Sequence, residues 1–202
     1  MSSHHTTHIG LLQHGTVEAG DVFCGELDTP LSKQGWRYLK QKFGRGGKDW
    51  DAVVTSPKVQ CAAFAEWFAQ KNDLPLVRDE RLREMHFGEW EGCSPQQVLH
   101  SHPDELATWW SNPALMTPPA GEAFSEFRTR VLDAWAEIPR NWRGERVLVV
   151  THVNVIRLIV ASVLDVPDER LFALNVEYGA MTQLRVLKDR SGDWTSLLTH
   201  GC

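Results

Sequence analysis

Two apolar runs, far apart in the chain, each end in a histidine. Ile9-Gly10-Leu11-Leu12 leads into Gln13-His14-Gly15, and Val147-Leu148-Val149-Val150 leads into Thr151-His152-Val153-Asn154. Short apolar runs without alternation read as strands buried on both faces, the pattern of a parallel sheet covered by helices. Open α/β sheets place their ligands at the carboxyl ends of the strands, so His14 and His152 are candidates to sit side by side at one sheet edge. A neutral imidazole is a nucleophile at physiological pH, and a protonated one holds an anion. Each histidine also reads as a plain strand end that bonds a local carbonyl.

The rest of the chain fits that frame. Residues 8–13 are predicted as strand and 16–31 as a loop over its end. A helix opens at Leu31-Ser32-Lys33-Gln34-Gly35 with Ser32 as N-cap and runs to about Phe43. Trp50 to Val54 give a second strand, and Ser56-Pro57 starts a helix from about Lys58 to Gln70, with the serine as its cap. Residues 78–94 read as an active-site loop. Residues 95–140 are helical in pattern, broken at Asn112-Pro113 and at 117–121, and form a cap insertion whose last helix runs from about Ala123 to Ile138. A third strand ends at His152, and a buried helix follows from Val155 to Leu164. Residues 171–187 read as two strands turning near Tyr178-Gly179, and Trp194 to Thr199 as an edge strand. The fold class is a three-layer α/β/α domain spanning 1–202, with a mostly parallel sheet and the cap at about 95–140.

Composition narrows the function. With 202 residues, 42% hydrophobic and a net charge of −5, the chain is long enough for one real core and too acidic for nucleic acid as a main partner. No apolar run approaches the ~20 residues of a membrane span, and the N-terminus lacks the pattern of a signal peptide. Cys24, Cys61, Cys93 and Cys202 are scattered, which fits a reducing cytoplasm. His4, His5 and His8 read as a frayed, solvated start rather than a metal site. His100 and His102 do not share a helix face. Nine tryptophans, several of them in the middle third, suit a helical cap or an apolar pocket.

Four segments carry a further signal: Leu12-Gln13-His14-Gly15; Thr55-Ser56-Pro57; Leu82-Arg83-Glu84 through Gly88-Glu89-Trp90-Glu91-Gly92; and Val149-Val150-Thr151-His152. In this order and spacing the chain resembles the histidine phosphatase superfamily, the phosphoglycerate-mutase-like fold, over about residues 8–187. Within it, the 23–28 loop and Pro119-Ala120-Gly121-Glu122 look most like the α-ribazole phosphatases of cobalamin biosynthesis. The resemblance implies that His14 attacks phosphorus to form a phosphohistidine, that a charged His152 stabilises the phosphoryl oxygens, and that Glu84 is the proton donor and later the base. Glu84 then needs a raised pKa. Gly15 and the backbone of Val153 are implied at the phosphate, and no metal or other cofactor is required. The resemblance also implies a small phosphorylated metabolite as substrate, with α-ribazole 5'-phosphate one candidate.

The departures matter as much. The family's arginine before the nucleophile is Gln13 here, and its second phosphate-clamping arginine is Gln60. A charge-assisted hydrogen bond is worth about 1.5–3 kcal/mol and a neutral one about 0.5–1.5, so losing both clamps costs on the order of 2–4 kcal/mol in phosphate binding. Val153-Asn154 replaces the family's glycines, and Glu122-Ala123 its Glu-Ser. Lys58, Arg83 and Arg157 are the candidate cations to compensate, but each reads first as a solvated or packing charge rather than a substitute clamp. Three readings follow: a phosphomonoesterase with an altered anion site; a catalytically weakened or inactive relative that binds a ligand or partner; and the same chemistry on a substrate whose leaving group supplies most of the binding. Mutase activity fits less well, because the family's mutases are longer.

Overall fold

The computed structural model describes residues 5–44, 49–188 and 193–202. Its six strands are β1 (His5–Gln13), β2 (Ala52–Thr55), β3 (Leu76–Arg78), β4 (Arg146–Thr151), β5 (Met181–Lys188) and β6 (Asp193–Thr199). They form one sheet in the order β3-β2-β4-β1-β5-β6. The first four neighbours are parallel, and β5 and β6 add an antiparallel edge. The helices are α1 (Lys33–Phe43), α2 (Val59–Asn72), α3 (Pro95–Ser101), α4 (Pro103–Ser111), α5 (Phe124–Asn141) and α6 (Val153–Val163).

Alternation within the central strands builds the two interfaces of a three-layer sandwich. Ile9, Leu11, Val147 and Val149 face a cluster that includes Phe127 and Val131 of α5 and Ile156 and Ile159 of α6. Leu12, Leu148 and Val150 face the other side, against Leu39 of α1 and Phe64 and Phe68 of α2. Both faces of β1 and β4 are therefore sealed, and only their carboxyl ends remain open to a ligand. That sets His14 and His152 beside each other. β1 and β4 run in register from His8↔Arg146 to Gln13↔Thr151, and each histidine is the next residue along its strand.

The predicted cap divides into two behaviours. α5 packs against α6 and the short turn Glu80–Leu82, so it belongs to an outer layer. α3, α4 and the turn Pro113–Leu115 pack on one another and toward the turn Asp168–Ala173. From this smaller part Pro95, Trp109 and Trp110 reach the cavity above β1 and β4.

Several local expectations are corrected. Residues 171–187 hold one strand, not two: Leu171 lies in a 3-10 turn, and the chain then arches over His14 before β5 begins at Met181. A second strand turning at Tyr178-Gly179 would have to pair with β5, which is already paired on both sides, by β1 and β6. His5 and His8 are not frayed; they are exposed positions of β1, paired across from Lys188 and Arg185. His4 lies outside the described residues. Ser56 does not cap α2, whose N-cap is Lys58 without a side-chain bond. The short β3 went unread because Leu76-Val77-Arg78 carries too little pattern. Ser32 does cap α1, accepting from Gly35 N–H at 3.0 Å.

Candidate active site

His14 sits where β1 ends, 7% exposed. Its Nδ1 lies 2.8 Å from the Gly15 carbonyl. A carbonyl only accepts, so Nδ1 carries the proton and Nε2 keeps its lone pair. Both readings of this histidine thus hold together: the local carbonyl bond is what fixes the tautomer of a nucleophile. Burial lowers its pKa to about 4, partly opposed by the Gly15 bond. The ring is neutral at pH 7. Gly15 does more than accept that bond: a Cβ there would meet the Gly35 backbone at 3.0 Å, so the glycine allows α1 to close on the loop after β1.

His152 occupies the N-cap position of α6 and is 1% exposed. Its ring stands edge-on to His14, centroids 5.2 Å apart at 71°. Its Nε2 lies 2.8 Å from Ser56 Oγ and 3.5 Å from Cys61 Sγ. Burial, then the neighbouring His14, Arg130 and Lys58, hold its pKa well below the usual histidine range. Burial thus works against the charge that the resemblance implies for this ring. A bound phosphate dianion would act in the opposite direction and draw a proton onto it.

Glu84 is 5% exposed and lines the same cavity as His14. Met85 N–H donates to its Oε1 at 2.8 Å, and Asn154 N–H, from the first turn of α6, donates to its Oε2 at 3.1 Å. Burial outweighs these two bonds and raises its pKa to about 7. A carboxyl poised there is half protonated at neutral pH, which suits a group that must first give and then take a proton. His14, His152 and Glu84 are thus gathered at the same strand ends.

The two glutamines at the clamp positions are otherwise occupied. With its amide turned so that nitrogen faces the neighbouring carbonyls, Gln13 donates to Val176 O at 3.0 Å and Glu177 O at 2.9 Å. Both of its N–H groups are spent on the arch that carries Tyr178 over His14, whose ring centroid lies 5.7 Å away. Gln60 is fully buried; its Nε2 donates to Cys24 Sγ at 3.5 Å and its Oε1 has no partner. Burial and the nearby Glu91 and Glu84 push the Cys24 thiol up to about 12, so it stays protonated. Val153 begins α6 and lines the cavity with helical backbone, so no left-handed turn is needed where the family has glycine.

The three compensating cations fare differently. Lys58 Nζ donates to Glu26 O and Oε2, both at 2.8 Å. Arg83 reaches the other oxygen of Glu26 at 3.2 Å. Only Arg157 lines the cavity. That cavity is about 390 Å³ and strongly aromatic, with Phe23, Phe87, Trp109, Phe172 and Tyr178 among its walls. Among the described residues no group of three or more His, Cys, Asp or Glu is placed to hold a metal.

Sequence reasoning missed two supporting residues. Arg130 of α5 forks onto Glu122 at 2.7 and 2.8 Å, and also donates to the carbonyls of Arg81 (2.8 Å), Arg83 (2.7 Å) and Glu84 (2.9 Å). It holds the backbone that carries the acid. Glu91 accepts from the N–H groups of Gly25, Glu26, Leu27 and Phe87 at 2.9–3.1 Å, tying the 24–27 loop to the cavity wall. Glu91 stood inside a quoted motif, so its signal was present. Arg130 carried none, because a lone arginine on a helix face usually points to solvent.

The chain is similar to several known proteins. A bifunctional protein of Mycobacterium tuberculosis is 31% identical over 182 residues; the match takes in 87% of this chain but 49% of that protein, so the chain spans about half its length. An adenosylcobalamin/alpha-ribazole phosphatase of Salmonella typhimurium is 26% identical, with 87% of this chain and 89% of that protein covered. The solved structure of a mycobacterial glucosyl-3-phosphoglycerate phosphatase superposes with a TM-score of 0.85 at 24% identity, over 98% of this chain and 99% of that one, and shares its fold. Residues 9–198 match the histidine phosphatase superfamily, branch 1, and the chain belongs to that superfamily.

Proposed function

We propose that this protein hydrolyses a small phosphomonoester through a phosphohistidine at His14. The observation that carries the reading is the neutral, tautomer-fixed His14 beside a Glu84 whose pKa is about 7. Nε2 of His14 attacks phosphorus, the N–P bond forms, and the ester P–O bond breaks. Glu84 gives its proton to the departing alkoxide. As a carboxylate it then takes a proton from the water that attacks the phosphohistidine; inorganic phosphate leaves and His14 is regenerated. His152, protonated once the dianion is bound, stabilises the equatorial oxygens. No metal enters any step. The aromatic walls support an apolar or aromatic leaving group, for which α-ribazole 5'-phosphate is one candidate. The free thiols of Cys24, Cys61, Cys93 and Cys202 are consistent with a reducing cytoplasm.

One group of contacts favours the second reading, a weakened or inactive relative. Gln13 is spent on carbonyls, Gln60 lies against Cys24, and His152 Nε2 is held by Ser56. The readings separate on p-nitrophenyl phosphate with His14→Ala as control. Hydrolysis that His14→Ala removes supports the enzyme; none at high protein concentration, unchanged in Gln13→Arg/Gln60→Arg, supports the binding protein.

A further inference from the structure

Arg157 is a guanidinium in an unusual position. It projects from α6 into the cavity that holds His14 and Glu84. Its Nε donates to Leu174 O at 2.9 Å and its Nη1 to Asn154 Oδ1 at 3.1 Å. Phe172 packs against its face, 5.4 Å from the ring centroid. A guanidinium has five N–H groups, so these two bonds leave three without a named acceptor. Among the described residues no carboxylate lies within ion-pair distance of it, whereas ten other pairs form, most of them exposed. Burial works against its charge. The Glu84 carboxyl favours its charge from nearby without bonding it, and a part-buried cation with spare donors facing a ligand cavity is placed to take an anion.

Which anion follows from its neighbours. Asn154 connects the two functional groups: its backbone N–H holds the Glu84 carboxyl while its side chain holds Arg157. On the mechanism above, which this inference rests on, Glu84 faces the leaving oxygen. Arg157 therefore stands on the leaving-group side of the reacting phosphorus. We propose that Arg157 is a subsite for a second oxyanion carried by the leaving group, so that the natural substrate is a phosphomonoester bearing a carboxylate or a second phosphate. Such a group offsets part of the binding lost with the two clamp arginines, because it anchors the substrate away from phosphorus. A leaving group without an anion, α-ribazole included, leaves Arg157 unanswered.

The test uses three aryl esters that keep the apolar contacts alike: phenyl phosphate, 3-carboxyphenyl phosphate and 1,3-phenylene bisphosphate. Binding is measured by calorimetry on the full chain with His14→Ala, which prevents turnover. One of the two doubly anionic esters should bind about 10- to 100-fold more tightly than phenyl phosphate, the span of a charge-assisted contact. The ester preferred names the anion. Arg157→Met should abolish the preference and Arg157→Lys should keep part of it, with thermal melts showing that both variants are folded. Equal binding of all three esters, no binding of any, or a preference that survives Arg157→Met would overturn the proposal. Turnover of the same esters by the protein with His14 intact is read separately. A binding preference without hydrolysis would discard the phosphatase reading and leave the subsite standing.

Discussion

Asn154 donates its backbone N–H to the Glu84 carboxyl at 3.1 Å, so the first turn of the helix after His152 also holds the candidate acid. One strand-to-helix junction thus places two of the three reacting groups. Burial still prevails over that bond and leaves Glu84 with a pKa of about 7.

The pH dependence follows from two groups, His14 and Glu84. His14 must be neutral, and becomes so as pH rises through about 4; Glu84 must be protonated to assist departure, and ceases to be so above about 7. A plot of kcat/KM against pH for an alkyl phosphate should therefore rise near 4 and fall near 7. Glu84→Gln should lose about 10²- to 10⁴-fold in rate. An alkaline limb that persists unchanged in Glu84→Gln would assign it to another group.

Stability should also fall as pH rises toward 7. Glu84 has a folded pKa raised from 4.5 to about 7. The folded state binds this proton more tightly than the unfolded chain, so the contribution is fully present below about 4.5 and is lost as pH rises through about 7. Taking about 1.4 kcal/mol per pH interval of one, the loss by pH 8 is at most about 3.5 kcal/mol. Glu84→Gln should therefore be more stable than the parent at pH 8 by urea denaturation, with the gain shrinking toward pH 5. A constant difference at both pH values would contradict the raised pKa.

Arg130 should act through Glu84 without touching substrate. Removing it with Arg130→Met leaves Glu122 and three carbonyls without their partner, and breaking a largely buried pair costs about 3–5 kcal/mol. Its charge also lowers the Glu84 pKa. Among molecules that remain folded, the alkaline limb should shift to higher pH. A purely structural arginine would lower stability and leave that limb in place; Arg130→Lys should restore part of both properties.

Much of this was legible in the sequence because burial and strand ends leave strong marks. The unbroken apolar runs before His14 and His152 announced sealed parallel strands, whereas the need for a raised pKa at Glu84 came from the acid's role that the family resemblance implied. The fold and the family were therefore readable without coordinates. What escaped was contact-level. Nothing local distinguishes a Gln13 amide aimed at an anion from one aimed at the carbonyls of Val176 and Glu177, which lie more than 160 positions away in the chain. Arg157 looked like a packing charge on an apolar helix until the cavity showed its free edge. The alternation after Leu171 suggested a second strand, but strand pairing depends on an open edge, and β5 has none.

Restoring the clamps probes how far the anion site has drifted. Gln13→Arg/Gln60→Arg should raise kcat/KM on p-nitrophenyl phosphate by about 30- to 1000-fold, the ratio for ~2–4 kcal/mol. Steady-state assays of the double and both single variants check it. No gain, in protein shown to be folded, would contradict positions 13 and 60 as the phosphate clamp of this chain.

The most direct measurement is acid-labile phosphorylation of the protein during turnover. Rapid-quench samples with a phosphate-labelled ester should carry one labelled phosphoryl group on His14, formed before product accumulates and absent from His14→Ala. Hydrolysis that continues in His14→Ala, or label that maps to any other residue, would contradict His14 as the nucleophile.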